Sequence, residues 1–133
     1  MARRENVFQS RRRLAREETS RSARRSEAFH HHVYVVLLKV EAGLLRKVQR
    51  ANPLRQPDKP CVYVGMTGLK PEERLANHKA GIKGAWVVKR FGVRLLPELF
   101  THLNPMPFDA AALMERDLAE DLRRQGYTVT GGH

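Results

Sequence analysis

The chain has 133 residues, enough for one domain with a modest core and too few for two. It carries 25 Lys and Arg against 14 Asp and Glu, a net charge of +11, which makes a polyanion the leading partner class, with DNA or RNA first. No apolar run approaches the roughly 18 to 20 residues of a membrane span, and no basic amphipathic helix carries aromatic anchors, so no membrane partner is expected.

Residues 1–28 form a basic arm. The stretch "RRENVFQSRRRLAREETSRSARRSE" is mostly Arg, Glu and Ser, and only Val7, Phe8 and Leu14 could join a core. Such a composition cannot bury enough surface to offset the entropy of ordering, so the arm is expected to be disordered or a loosely docked helix. Either it neutralises phosphates, through residues such as Arg11, Arg12 and Arg13, or it is a solubilising tail. The first residues lack the apolar stretch of a secretory signal, and Glu5, Glu17, Glu18 and Glu27 argue against an organelle transit peptide. The single Cys61 leaves no intrachain disulfide and fits a reducing setting, so the expected compartment is cytoplasmic.

The folded domain is expected over residues 29–133. "HHVYVVLLKV", ending at Val40, is rich in β-branched residues and reads as a buried strand. Residues 41–58 form an insert: a short helix around Leu44 to Arg50, then a loop holding Pro53 and Pro57. It is either a substrate-contacting helix or decoration. "PCVYVGM" is a second strand. Pro71 suits the first position of a helix over 71–80, with Glu72 and Glu73 facing the positive end of its dipole and Gly81 as its stop. "GAWVVKRFG" is read as a helical turn, and "VRLLPELF" as a third strand whose Pro97 implies an edge or a bulge. "NPMP" breaks the chain before a long helix from Asp109 through Arg124, closed by Gly126, and Tyr127 to Val129 could add a short terminal strand. The sum is a small α/β layer domain with three short strands and helices on their faces.

The chemistry is expected from polar residues set where core should be. In the last helix Ala111, Leu118 and Leu122, flanked by Met114 and Ala119, define one apolar face, and Glu115 lies in that stripe. A carboxylate there costs several kcal/mol unless something pairs with it. It is either a structural ion pair with Arg74 or Arg90, or a metal ligand or catalytic acid. Arg74 and His78 are neighbours at i and i+4, and the planar fork of an arginine matches two phosphate oxygens. Tyr34 and Tyr63 lie in strands, where a core aromatic with its hydroxyl at the rim is the plain alternative. His30, His31 and His32 point to alternating faces of a strand and do not suit one metal ion. Cys61 has no second cysteine near it and reads as a small buried hydrophobe. Gly65 and Gly68 match neither a Walker loop nor a dinucleotide fingerprint, so no small-molecule cofactor is expected. Trp86 and Phe91 stand near Lys83, Lys89 and Arg90, where they could stack on bases, although core packing is the default use.

Taken in order, Tyr34 in "VYVVL", the "YVG" of Tyr63 to Gly65, Arg74 with His78, and Glu115 on the last helix resemble the GIY-YIG nuclease superfamily. The resemblance covers roughly residues 32–131. It implies a three-stranded antiparallel sheet flanked by helices, and hydrolysis of phosphodiester bonds in DNA or RNA with one divalent cation, Mg2+ or else Mn2+. It also implies that Tyr34 or Tyr63 helps activate the attacking water and that Arg74 stabilises charge on the phosphate. His78 would support the base or the leaving group, and Glu115 would bind the metal. The sequence departs from the family at the first signature, which reads His32-Val33-Tyr34. It departs again in the 41–58 insert, and in "YTVTGGH", where the family carries an asparagine. A non-catalytic nucleic-acid or ribonucleoprotein binding module on the same scaffold is the alternative.

Overall fold

The structure is a computed structural model that describes residues 9–13, 29–82 and 85–132. Most of the 1–28 arm, Lys83 and His133 therefore lie outside the described residues.

Two central strands organise the fold. β1 (His32–Leu38) and β2 (Cys61–Thr67) are both dominated by β-branched residues that suit a pleated surface. They pair antiparallel in one unbroken register, from His32 opposite Thr67 to Leu38 opposite Cys61. Tyr34 therefore faces Gly65 and Val36 faces Tyr63, which sets both phenols on the same side of the sheet as diagonal neighbours. Val33 and Val35 on one side of β1, and Tyr34 and Val36 on the other, are all buried. A strand covered on both faces reads as a continuous apolar run, as this one does.

The sheet has four strands, not the three antiparallel ones expected. Its order is β3-β1-β2-β4, where β3 (Gly92–Leu95) runs antiparallel to β1 and β4 (Thr128–Gly131) runs parallel to β2. The sheet is therefore mixed. The extra strand follows from the long helix α4 (Phe108–Arg124), a crossover that returns the chain beyond the far edge of β2. Gly126, at φ +97°, ends that crossover. The strand expected over "VRLLPELF" stops at Leu95. Pro97 opens a 3-10 turn over Pro97–Leu99, and the following turns bury Leu96, Phe100 and Leu103 instead of extending the ladder.

Three shorter helices complete the layers. α1 (Arg46–Ala51) belongs to the insert and follows a 3-10 turn at Val40–Leu44, so β1 ends at Leu38 and not at Val40. α2 (Pro71–Lys79) starts on Pro71, and the Lys70 N–H donates to the Glu73 carboxylate at 3.2 Å. α3 (Trp86–Phe91) follows, and α4 buries Ala111, Met114, Glu115, Leu118, Ala119 and Leu122, the face its periodicity predicts. Among the described residues no helix is long and apolar enough to cross a membrane.

The insert is part of the core. Asn52, at the end of α1, is fully buried. Its amide donates to the carbonyls of Val48 (2.7 Å) and Val129 (2.8 Å), and its oxygen accepts from the Val129 N–H at 2.8 Å. One side chain thus fastens α1 to the edge strand β4. Asn104 does the same for β1, accepting from Val33 N–H at 2.8 Å and donating to Val33 carbonyl at 2.7 Å.

Candidate active site

Tyr34, His78, Tyr63 and Arg74 gather on the face of β1 and β2 that α2 covers, with Glu115 reaching the group from α4. The register that places Tyr34 opposite Gly65 is what makes this possible. A Cβ on residue 65 would lie 2.6 Å from the Tyr34 hydroxyl oxygen and 2.9 Å from the Tyr63 ring, closer than real Cβ contacts come. Glycine at this position is what lets both phenols into the cluster. Gly131 on β4 leaves room on another side of Tyr63, where a Cβ would come within 2.8 Å of its ring.

Two hydrogen bonds fix the chemistry of His78. The Ala85 N–H donates to Nδ1 at 2.9 Å, so Nδ1 carries no proton. The proton must then sit on Nε2, which donates to the Tyr34 hydroxyl at 2.7 Å. His78 is 1% exposed, and burial lowers its pKa to about 4, with the charge of Arg74 acting in the same direction. It is a neutral imidazole with a defined tautomer, and both of its nitrogens are committed. That makes it an unsuitable metal ligand and a good positioning group for Tyr34.

The two tyrosines are not equivalent. Their rings lie 6.1 Å apart, and each is about as far from His78, at 6.0 Å for Tyr34 and 5.6 Å for Tyr63. Tyr34 is 1% exposed, whereas Tyr63 is half-buried and open to solvent. Burial raises the pKa of Tyr34 above the ordinary range, reinforced by Tyr63 and opposed by Arg74. Burial also raises Tyr63, followed by the charge of Glu115, while a hydrogen bond from Tyr34 and the charge of Arg74 pull it down. Arg74, half-buried one turn before His78, thus acts on both phenols and on the imidazole.

Glu115 is 8% exposed, and burial pushes its pKa up to about 7, with Arg116 opposing. The expected structural pairing with Arg90 is not found among the described residues. Arg90 instead lies exposed, 5.6 Å over the Phe91 ring. Among the described residues no group of three or more His, Cys, Asp or Glu converges. A cation at Glu115 would take one buried carboxylate and complete its shell with water and phosphate oxygens. That donor set fits a hard ion such as magnesium or manganese.

The other predicted residues that the structure describes have surroundings of their own. Arg11 pairs with Asp117 on α4, Arg12 donates to the Asn104 carbonyl at 3.0 Å, and Arg13 and Lys89 are exposed. Lys83 lies outside the described residues. Trp86, expected in the core, is 61% exposed, and Phe91 takes the buried place. Asn52, Asn104 and Gly131 were not singled out by the sequence. Asparagine at the end of a helix and consecutive glycines after a strand are the only signals they leave. The chain has no significant match to a protein-family model, to a curated protein or to a solved structure.

Proposed function

We propose that the protein is a metal-dependent phosphodiester hydrolase of GIY-YIG type, an endonuclease acting on DNA or RNA. The observation that carries this reading is Glu115, a carboxyl group buried in the apolar face of α4, whose charge is felt by Tyr63 in a cluster that also holds an arginine. Bound at Glu115, Mg2+ or Mn2+ would supply fixed positive charge for phosphate oxygens as negative charge develops on them. Arg74 holds a second positive charge on the same side, and its fork suits two non-bridging oxygens. Tyr63 is the phenol open to solvent, and it accepts a hydrogen bond from Tyr34, so it is the better placed of the two to take a proton from water. Compensating the Glu115 charge removes one of the two causes that hold Tyr63 high. His78 orients Tyr34 through Nε2, and Tyr34 in turn orients Tyr63.

Labelled DNA and RNA incubated with protein and Mg2+ or Mn2+ test the reading. Cleavage is expected, and it should disappear with chelator or in Glu115→Gln while binding persists. The second reading is a non-catalytic nucleic-acid or ribonucleoprotein binding module, favoured by burial holding both phenols above their ordinary range. Binding without cleavage under either metal would select it.

A further inference from the structure

We propose that Trp86 is a stacking platform for an unpaired base, so that the protein takes single-stranded or locally unpaired nucleic acid beside the cluster around Tyr63. Tryptophan is rarely left in water, yet this one is 61% exposed at the start of α3. Phe91, buried beneath it, meets the indole edge-on at 5.9 Å and an interplanar angle of 88°, which holds the ring in place rather than covering it. The preceding residue, Ala85, donates the hydrogen bond that fixes His78, so the platform is joined directly to the candidate site.

Charge decides which occupant fits. From Arg74 to Pro97 the chain contains no Asp or Glu. Lys79, Lys89, Arg90 and Arg94, all exposed, belong to that stretch, and the Lys89 ammonium lies against Gly81 while Arg90 covers Phe91. An exposed indole with Lys89 and Arg90 three and four residues further along the same helix, in a stretch of sequence without an acidic residue, suits a base on a phosphate backbone. The aromatic face takes the base, and the ammonium and guanidinium groups take its neighbouring phosphates. In a duplex the bases are already stacked on one another and cannot reach the indole. The proposal rests on the nucleic-acid partner proposed above, but not on hydrolysis.

Trp86 is the only tryptophan in the chain, so its emission reports on this surface alone. The full chain is titrated in chelator, where cleavage cannot occur, with oligo-dT, oligo-U, a duplex and inorganic polyphosphate. Either single strand should change the emission, whereas polyphosphate should bind to the same cations and leave it unchanged. The duplex should act more weakly than the single strands. Read by calorimetry, because the variants lack the indole, Trp86→Ala should weaken single-strand binding about tenfold and leave polyphosphate binding unchanged, and Trp86→Phe should restore most of the loss. Equal responses to polyphosphate and oligonucleotide overturn the proposal, as does a duplex that acts as strongly as single strands. Wild-type affinity in Trp86→Ala overturns it too. Subsequent addition of Mg2+ separates the two readings. A base-dependent response without cleavage keeps stacking and removes hydrolysis, whereas cleavage without that response does the reverse.

Discussion

At the scale of single residues, Glu115 and His78 pull stability in opposite directions with pH. The Glu115 carboxyl rises from its ordinary 4.5 to about 7 on folding. Between those values the native state holds the proton more tightly, so stability falls as pH rises, by about 3 kcal/mol in all. His78 drops from 6.5 to about 4, so the unfolded chain holds that proton more tightly and stability falls as pH goes down through the same region. The two slopes nearly offset each other from about pH 4.5 to 6.5. Glu115→Gln removes the first and leaves the second. Urea unfolding of that variant at a series of pH values should show stability climbing from about pH 4 to 6.5 and then level, where the wild type is flat and then declines. Parallel curves for the two proteins would mean that Glu115 is not held in a proton-retaining site. Gly65→Ala tests the neighbouring contact. Its methyl group would press on the Tyr34 hydroxyl, so a loss of roughly 1 to 3 kcal/mol of unfolding free energy, read as a lower denaturant midpoint, is expected. The His78 to Tyr34 hydrogen bond should loosen with it, read as a shift in the imidazole nitrogen resonances by NMR.

At the scale of elements, the insert and the terminal strand form one unit held by Asn52. Asn52→Ala would leave the Val129 N–H and two carbonyls without their partner in the core, a cost of roughly 2 to 4 kcal/mol. Hydrogen exchange should quicken first in α1 and β4, while β1 and β2 keep their protection. Uniform loss of protection across the sheet would refute the idea of a separate unit. The same unit explains what the sequence could and could not convey. The long apolar run of β1 and the stripe on α4 are properties of contiguous residues, and both elements lie where periodicity places them. Part of the candidate site was legible for a related reason, because Glu115 breaks its stripe and Arg74 and His78 share one helix face. The parallel pairing of β4 depends on a partner more than 60 positions away, with Cys61 opposite Thr128, and no local pattern records it. Pro97 marked a break in the third strand, but the 3-10 turn that replaces the strand is stabilised by burying Leu96, Phe100 and Leu103, contacts set by tertiary structure. The exposure of Trp86 was equally hidden, since composition would bury an indole and only packing shows that Phe91 takes its place.

At the scale of the whole molecule, a net charge of +11 invites a polyanion without saying where it binds. The fold separates two candidate surfaces. Arg11 and Arg12 of the arm are already engaged, one with Asp117 and the other with the Asn104 carbonyl, and releasing them would give up those contacts. Lys79, Lys89, Arg90 and Arg94 project from a stretch with no acidic residue to compete for them. If those four neutralise phosphates of a single strand, the logarithm of affinity should fall against the logarithm of salt with a slope of about −3. Replacing Lys89 and Arg90 by Gln should reduce that slope by about 1.4, whereas replacing Arg11 and Arg12 should leave it unchanged. Fluorescence titrations over a range of salt concentrations measure both. The opposite result, a slope that responds to the arm and not to α3, would move the polyanion to α4. The exposed indole, the acid-free stretch and the Tyr63 cluster would then no longer share one ligand, because the described contact of the arm with that helix is made at Asp117, two residues along from Glu115 and so on a different face.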